Sequence, residues 1–151
     1  MERIASFSVD HDKIVPGMYI SRIDGDITSF DLRTRTPNAG DYMDNVTMHS
    51  VEHMLATLLR NGPIGQNVIY FGPMGCRTGF YLLTRDLEPA VVLEAVKAAL
   101  AATVTHEGEV YGKSRKECGN YLELDIGSAK QECAAYLAVL NGHKGDFYYA
   151  Q

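Results

Sequence analysis

Two histidines and a glutamate stand close together near the middle of the chain, in the stretch His49–His53. Apolar residues recur around them at intervals of three and four, which predicts a helix with one buried face and a stop at Asn61-Gly62. The residues of this apolar stripe are Met48, Val51, Leu55 and Leu58. On such a helix the two imidazoles lie one turn apart on the same face, where their ring nitrogens can point at one divalent cation.

Glu52 lies three residues after His49 and directly before His53. The order His-x-x-Glu-His is that of the inverted zincin motif. A carboxylate at this position can act as a base beside the metal rather than as a ligand. A solvated helix face that carries the three residues by chance is the simpler alternative, but their order inside an apolar helix favours a metal site.

Three cysteines are candidates for a further ligand. Cys118 precedes a glycine in a predicted loop, and two histidines with one cysteine would leave a fourth position open, as in catalytic zinc sites. Cys76 lies in a glycine-rich turn, where a reactive thiol is better placed than in a core, and a nearby cation such as the metal or Arg77 would favour its thiolate form. Cys133 lies among Ala and Leu and is expected to be a small buried hydrophobe. The pattern leaves open whether Cys76 or Cys118 is the ligand.

Composition and charge narrow the class of protein. The 151 residues, 46% apolar and 22% charged, predict one globular domain that covers residues 1–151. A net charge of −5 with no basic run predicts no nucleic-acid partner. Glu94 and Lys97 interrupt the longest apolar run, and no signal peptide is recognisable, so we expect no membrane span and a cytoplasmic location with reduced thiols.

The order of predicted elements indicates the fold class. The predicted strands cover residues 4–9, 18–23, 27–33 and 67–71 and a segment after Cys76, and Asp24-Gly25-Asp26 is a strong hairpin signal between two of them. After the histidine helix, a second helix is expected from Pro89 to Thr103. A last helix should begin at a capping box formed by Ser128 and Gln131 and end at Asn141-Gly142. Strand pairs followed by helices, without regular β–α–β alternation, predict an α+β domain.

With these landmarks in view, the sequence resembles the S-ribosylhomocysteine lyase family, bacterial enzymes that make the precursor of autoinducer-2. The matching blocks run in the family's order over nearly the whole chain, and the block around Cys76 is long and specific. They are Ser6-Phe7, Asp10-His11, Phe30-Asp31-Leu32-Arg33, Pro37-Asn38, His49-Ser50-Val51-Glu52-His53, Gly72-Pro73-Met74-Gly75-Cys76-Arg77-Thr78-Gly79-Phe80-Tyr81 and Glu117-Cys118-Gly119-Asn120-Tyr121.

The resemblance implies roles for eight residues of these blocks. The implied metal ligands are His49, His53 and Cys118, the implied proton-transfer residues are Glu52 and Cys76, and the implied substrate-binding residues are Ser6, His11 and Arg33. In the family the substrate-binding residues come from the partner subunit of a homodimer with its active sites at the interface. The implied cofactor is Fe(II), one per subunit, which Zn(II) or Co(II) can replace. The implied fold is an antiparallel sheet with helices packed on one face.

The implied reaction converts S-ribosyl-L-homocysteine to L-homocysteine and 4,5-dihydroxy-2,3-pentanedione, by carbonyl migration from C1 through C2 to C3 and then β-elimination. An Arg33 fork would suit the carboxylate of the homocysteine end. From the residues alone, Ser6 and His11 are as well explained by capping or pairing within the N-terminal strands, and Arg33 by a solvated face.

Two other functions are compatible with the histidine motif. A small inverted-zincin-like metallopeptidase would need a carboxylate as its third ligand and a longer chain to bind a peptide. A structural metal or binding module should have a closed four-ligand site, and neither His106 nor His143 has ligand-like spacing. Turnover of S-ribosylhomocysteine would separate the lyase from both.

Overall fold

The computed structural model describes residues 1–151 and contains four helices, one 3₁₀ turn and four strands. In chain order the elements are α1 (Ala5–Ser8), β1 (Gly17–Asp24), β2 (Ile27–Arg33), α2 (Asn45–Arg60), the 3₁₀ turn (Gly65–Asn67), β3 (Val68–Pro73), β4 (Gly79–Arg85), α3 (Pro89–Val104) and α4 (Ile126–Asn141). No helix of the chain combines the length and the apolar content needed to cross a bilayer.

The four strands form one antiparallel sheet in the order β1-β2-β4-β3. The predicted hairpin is confirmed: Asp24 pairs with Ile27, so Gly25 and Asp26 form the loop, and Gly25 takes the positive φ of 62° that such tight turns favour. An irregularity of register at Ser21 interrupts β1. The predicted α+β class with an antiparallel sheet is therefore confirmed.

Helices α2 and α4 pack against one face of this sheet, and α3 packs mainly against α2 and α4. That face carries alternate strand residues that are at most 1% exposed: Phe30, Leu32, Phe80 and Leu82. They join the buried faces of α2, α3 and α4 in a single core cluster. The hydroxyl of Tyr136 on α4 donates to the carbonyl oxygen of Gly17 at 2.7 Å, which fixes α4 to the start of β1.

The predicted strand at residues 4–9 is wrong. Residues Ala5–Ser8 form a single helical turn, closed by a hydrogen bond from the backbone of Phe7 to Ile4. Alternation makes a strand only where a neighbouring strand completes its hydrogen bonds, and the outer edge of β1 instead receives Phe147, whose carbonyl accepts from Ile20. Ile4 and Phe7 are consequently left 58% and 69% exposed.

The predicted capping box at Ser128 and Gln131 is also wrong. Helix α4 begins at Ile126, and the carboxylate of Asp125 accepts from both the backbone and the hydroxyl of Ser128 at 2.8 Å. A carboxylate three residues ahead of Ser128 is the stronger acceptor, because hydrogen bonds to an ionised oxygen exceed those between neutral groups. The predicted end of the helix at Asn141-Gly142 is confirmed.

Helix α2 ends at Arg60, directly before the predicted stop, but Gly62 does not take the left-handed conformation in which glycine commonly ends a helix. Gly62 does not have a positive φ, and its backbone N–H donates to the carbonyl oxygen of Leu59. A Cβ at Gly62 would lie 3.0 Å from the carbonyl oxygen of Leu58. Glycine is needed here for room rather than for handedness.

We expect the N-terminal cap of α2 to contribute pH-dependent stability. Asp44 accepts from the backbone of Thr47 at 2.7 Å, and hydrogen bonds from Thr47 hold the pKa of Asp44 below its ordinary value. A lowered folded-state pKa gives stability that is present at neutral pH and lost as the pH falls through the folded pKa. Asp44→Ala should cost about 1 kcal/mol of unfolding free energy near neutral pH, and urea unfolding should detect a smaller cost near pH 3.

The control for this cap is Asp44→Asn, which keeps an acceptor at every pH. It should stay close to the unsubstituted protein in the neutral range. A cost of Asp44→Ala that is equal at both pH values would contradict the ionic part of the argument.

Candidate metal centre

The first two groups of the site stand on one face of α2. His49 and His53 are both partly buried, and their rings meet edge to face with centroids 4.6 Å apart. The opposite face of the helix holds Val51, Met54 and Leu55 in the core. The burial of that apolar face fixes the rotation of the helix, and so fixes the direction in which both imidazoles point.

Hydrogen bonds from two loops select the tautomer of each imidazole. His49 Nδ1 lies 3.0 Å from the carbonyl oxygen of Glu123, and His53 Nδ1 lies 2.8 Å from that of Tyr111. A carbonyl oxygen can only accept, so each Nδ1 carries the proton and each Nε2 keeps a free lone pair. This is the arrangement in which outer partners orient metal-binding histidines.

Cys118 completes the cluster. Its sulfur lies 3.4 Å from His49 Nε2, and the ligand atoms of His49, His53 and Cys118 all lie within 4.8 Å of one another. The backbone N–H of Asn120 donates to the sulfur at 3.4 Å, and the backbone of Cys118 is held by Ser114 at 3.0 Å. Of the two thiols that the sequence pattern left open, Cys118 is the one that the fold brings to the histidine pair.

The donor set fits a divalent transition metal. Two imidazole nitrogens with free lone pairs and one thiol sulfur converge on one point, and imidazole and thiolate are ligands of zinc, iron and cobalt rather than of calcium or magnesium. Three protein donors leave a coordination position for another molecule, whereas structural zinc sites close all four with protein ligands. The composition of the cluster suits a metal that acts on a bound substrate.

We expect Gly112 to be essential for the loop that orients His53. Its φ is +73°, and a Cβ at this position would lie 3.2 Å from His53 Nδ1. Gly112→Ala should therefore strain the loop and loosen the Tyr111 contact, weakening metal binding roughly 10- to 100-fold, as loss of other outer partners of metal-binding histidines does. A competition titration with a chromogenic chelator measures the change.

The control for this variant is Gly145→Ala. Gly145 has a φ of +86° and no atom within 4 Å of its Cβ position. Alanine there introduces the same kind of backbone strain without contacting the histidines. Equal metal affinities for the two alanine variants would contradict the role of Gly112.

Glu52 lies on α2 between the two histidines in sequence and is partly buried. It is not a member of the three-residue cluster. The position agrees with a carboxylate that stands beside the metal ligands on the same helix, and its role as a base remains a prediction.

Cys76 lies outside the cluster, on the exposed turn between β3 and β4. Its sulfur lies 3.1 Å from the hydroxyl of Thr78 and 3.9 Å from Arg33 Nη1. The sequence suggested the metal or Arg77 as the neighbouring cation. The guanidinium of Arg77 instead donates to the carbonyl oxygen of Met43, and Arg33 is the cation within reach of the sulfur.

Arg33 is 2% exposed and is held in a bidentate ion pair. Its Nε and Nη2 donate to the two carboxylate oxygens of Asp31 at 3.0 and 2.6 Å, and its Nη1 donates to the hydroxyl of Thr78 at 2.9 Å. Burial acts to lower the pKa of Arg33, but Asp31, with a contribution from Cys76, outweighs it and raises the pKa. The solvated face that composition alone suggested for Arg33 is therefore wrong, and its substrate role stays a prediction.

The N-terminal candidates, Ser6 and His11, are not members of the three-residue cluster. Ser6 lines a cavity of about 300 Å³ on the face of the sheet that the long helices leave open, together with Ser29 and Tyr81. His11 is partly buried, and its Nδ1 lies 2.9 Å from the carbonyl oxygen of Val9. Their substrate-binding role likewise stays a prediction.

Several residues that contact the histidines or the Arg33 ion pair could not be identified from the sequence. The carbonyl groups of Tyr111 and Glu123 act through the backbone, which carries no residue signature. Asp31 lies in an ordinary strand pattern, and Tyr149, which donates to it at 2.7 Å, lies near the C-terminus. Only Gly112 had a visible signal, as a glycine in a polar loop, and that signal does not specify its partner.

Known proteins match this chain over nearly its full length. A family model described as S-ribosylhomocysteinase (LuxS) matches residues 4–145. A protein of Finegoldia magna named S-ribosylhomocysteine lyase is 43% identical, with 95% of each chain covered. Proteins of the same name from Borreliella burgdorferi and Phocaeicola vulgatus are each 41% identical, with 95% and 99% of this chain covered and 96% and 98% of theirs. The chain therefore belongs to the S-ribosylhomocysteinase (LuxS) family.

Proposed function

We propose that this protein is a metal-dependent lyase that cleaves S-ribosyl-L-homocysteine to L-homocysteine and 4,5-dihydroxy-2,3-pentanedione. The observation that carries the proposal is the convergence of His49, His53 and Cys118 within 4.8 Å, with both histidine Nδ1 atoms bound to backbone carbonyls, in a chain of this family. The substrate is that of its relatives, which are named S-ribosylhomocysteine lyase.

His49, His53 and Cys118 would hold the metal, which we infer to be Fe(II), one per chain, with Zn(II) or Co(II) able to replace it. When bound, a divalent cation supplies Lewis acidity to a carbonyl and its neighbouring hydroxyl, which makes the adjacent C–H groups more acidic. The three-donor cluster leaves room for such oxygen atoms. The loops that contact both Nδ1 atoms keep the histidines oriented while substrate enters and leaves.

Glu52 and Cys76 would move the protons. Each carbonyl shift takes a proton from one sugar carbon and returns one to its neighbour. The final elimination removes the C4 proton as the C5–sulfur bond breaks, and homocysteine leaves with the bonding electron pair and is protonated. A base on α2 and another on the separate turn before β4 could serve opposite faces of the sugar. Positioned acids and bases of this kind contribute about 10²- to 10⁴-fold each.

Arg33 supports the role of Cys76. A thiol acts as a base only in its thiolate form. The guanidinium of Arg33 lies 3.9 Å from the sulfur and the hydroxyl of Thr78 lies 3.1 Å away, so a positive charge and a hydrogen-bond donor both face the atom that must carry negative charge. We infer that Arg33 serves the reaction through Cys76, in addition to its inferred part in binding the substrate.

We further propose that the protein acts as a homodimer, with Ser6, His11 and Arg33 of one subunit completing the site of the other. Support comes from the open face of the sheet, where Ser6 lines a cavity beside Ser29 and Tyr81, and from the exposed apolar side chains of Ile4 and Phe7. Apolar groups gathered on one exposed surface are typical of an interaction site.

We also propose a cytoplasmic location. The three cysteines are free, which suits a reducing cytoplasm.

The stoichiometry of the products tests the proposed reaction. Oxygen-free protein given S-ribosyl-L-homocysteine should release one free thiol for each molecule of 4,5-dihydroxy-2,3-pentanedione, the first measured with a chromogenic thiol reagent and the second by chromatography after derivatisation. Folded, metal-loaded protein that releases no thiol would contradict the proposal. A peptide library incubated in parallel tests the metallopeptidase alternative.

A further inference from the structure

The C-terminal segment brings a tyrosine hydroxyl to the ion pair beside Cys76. Tyr149 donates to Asp31 Oδ2 at 2.7 Å, and the same oxygen accepts from Arg33 Nη2 at 2.6 Å. The other arm of the guanidinium, Nη1, donates to Thr78 and faces the Cys76 sulfur at 3.9 Å. A continuous chain of polar contacts therefore runs from the C-terminus to the thiol.

Tyr149 is held in place independently of this hydrogen bond. Its ring stacks on Tyr19, with centroids 4.9 Å apart and an interplanar angle of 21°. Two residues earlier, Phe147 is buried and its carbonyl oxygen accepts from the backbone of Ile20 at 2.7 Å. The segment thus continues along the edge of β1, and removing only the hydroxyl of Tyr149 should leave its ring where it is.

The hydroxyl of Tyr149 stays a donor throughout the physiological range. Burial raises the pKa of Tyr149, and the charge of Asp31 and the hydrogen bond to it raise it further. A neutral phenol next to a carboxylate can only donate to it. The bond therefore draws off part of the negative charge that Asp31 would otherwise direct at Arg33.

We propose that Tyr149 is a positioning residue for Cys76, acting through Asp31 and Arg33. By binding one oxygen of Asp31, its hydroxyl fixes the carboxylate and leaves more of the positive charge of Arg33 directed at the sulfur. The importance of this for turnover rests on the proposed function, in which Cys76 is a base. The effect on the reactivity of the sulfur does not rest on it.

The direction of the effect follows from the charges that face the thiol. Arg33 is the cation within reach of the sulfur, and Asp31 is the counter-charge of Arg33. Tyr81 on β4 is close enough to interact with all three groups, Asp31, Arg33 and Cys76. Without the Tyr149 hydroxyl, Asp31 neutralises more of the guanidinium, so the sulfur should be less reactive as a nucleophile. Loss of part of a charge-assisted hydrogen bond implies that an electrophile reacts with the Cys76 sulfur roughly threefold to tenfold more slowly.

Alkylation of the substrate-free, full-length protein tests the proposal. Tyr149→Phe and the control Tyr148→Phe are treated with iodoacetamide, and mass spectrometry of the peptides gives the rate at each cysteine. Tyr148 is 70% exposed and is the adjacent residue, so it controls for loss of a hydroxyl at the C-terminus. Cys133 is an internal reference, because burial raises its pKa to about 12 and it should remain unmodified in folded protein.

The expected result is a roughly threefold to tenfold slower alkylation of Cys76 in Tyr149→Phe only, with Cys133 still protected. Equal Cys76 rates in both variants would overturn the proposal. So would new labelling of Cys133 in Tyr149→Phe, because Tyr149 would then maintain the fold rather than position a group.

Turnover of S-ribosylhomocysteine gives the second measurement. In Tyr149→Phe, kcat should fall by a similar factor while KM changes little, because the positioned group acts on the chemical step. A rise of KM alone would overturn the positioning role. Failure of the unsubstituted protein to turn over substrate would instead refute the proposed function and leave the alkylation comparison to decide the role of Tyr149.

Discussion

Cys118→Ala is expected to abolish metal binding and lyase turnover together. The cluster has one sulfur donor and two nitrogen donors, and alanine leaves only the two histidines, which lie on one helix and cannot enclose a cation. Loss of an outer partner alone costs about 10- to 100-fold in metal affinity, so loss of a ligand should exceed about 100-fold. Metal analysis after gel filtration and the thiol-release assay measure the two effects.

The other two cysteines provide the controls. Cys133→Ala alters a residue in the buried core, away from the cluster, and should retain both metal and turnover. Cys76→Ala should retain metal and lose turnover, because its sulfur lies with Arg33 and Thr78 rather than with the histidines. Full metal content in Cys118→Ala, or metal loss in Cys76→Ala, would mean that the assignment of the two thiols is reversed.

Glu52→Gln is expected to reduce kcat by about 10²- to 10⁴-fold without loss of metal. Glutamine keeps the size and helix propensity of glutamate but cannot take up a proton at neutral pH. The variant should therefore fold, bind metal through His49, His53 and Cys118, and still bind substrate. Steady-state kinetics and metal analysis on the same preparation separate the loss of a base from the loss of a ligand.

A matched control is Glu94→Gln on α3, where the carboxylate is 71% exposed and pairs only with Lys97 at the surface. It should have unchanged kinetics, because exposed pairs of this kind contribute little. If Glu52→Gln loses its metal, the carboxylate is a ligand or holds one in place. If it keeps full turnover, the base lies elsewhere.

The sequence predicted those features that depend on local periodicity. The three- and four-residue spacing of apolar residues located α2 and the shared face of His49 and His53, and the Asp24-Gly25-Asp26 signal located the hairpin. Both features depend on contacts between residues close in sequence, which repeat patterns and turn residues express directly. The α+β class followed from the order of such elements.

Features that depend on distant parts of the chain could not be predicted in this way. Cys118 reaches the histidines because the loop between α3 and α4 folds back over α2, and the choice between Cys118 and Cys76 required either that fold or the family resemblance. Arg33 looked like a surface residue because the charged residues Asp31 and Arg35 lie two positions to either side of it. Its ion-pair partner Asp31 is bound by Tyr149, which is 118 residues from Asp31 along the chain.

The two wrong predictions, the strand at residues 4–9 and the capping box at Ser128, also have physical causes. The alternation at residues 4–9 is a local signal for a strand, but a strand also needs a neighbour, and the C-terminal segment occupies that edge of β1 through Phe147. At the start of α4, both Asp125 and Ser128 have side-chain oxygens that can cap a helix. The charged residue, Asp125, is the N-cap in the structure.

Lyase turnover as a function of the metal bound is the most direct test of the proposed metal dependence. Protein stripped by a chelator under anaerobic conditions is titrated with Fe(II), and thiol release from S-ribosyl-L-homocysteine is followed at each step. We expect no turnover in the stripped protein and a linear rise that ends at one metal ion per chain, with no rise in Cys118→Ala. Turnover that persists in the stripped protein, or that rises equally in Cys118→Ala, would contradict the proposed metal dependence.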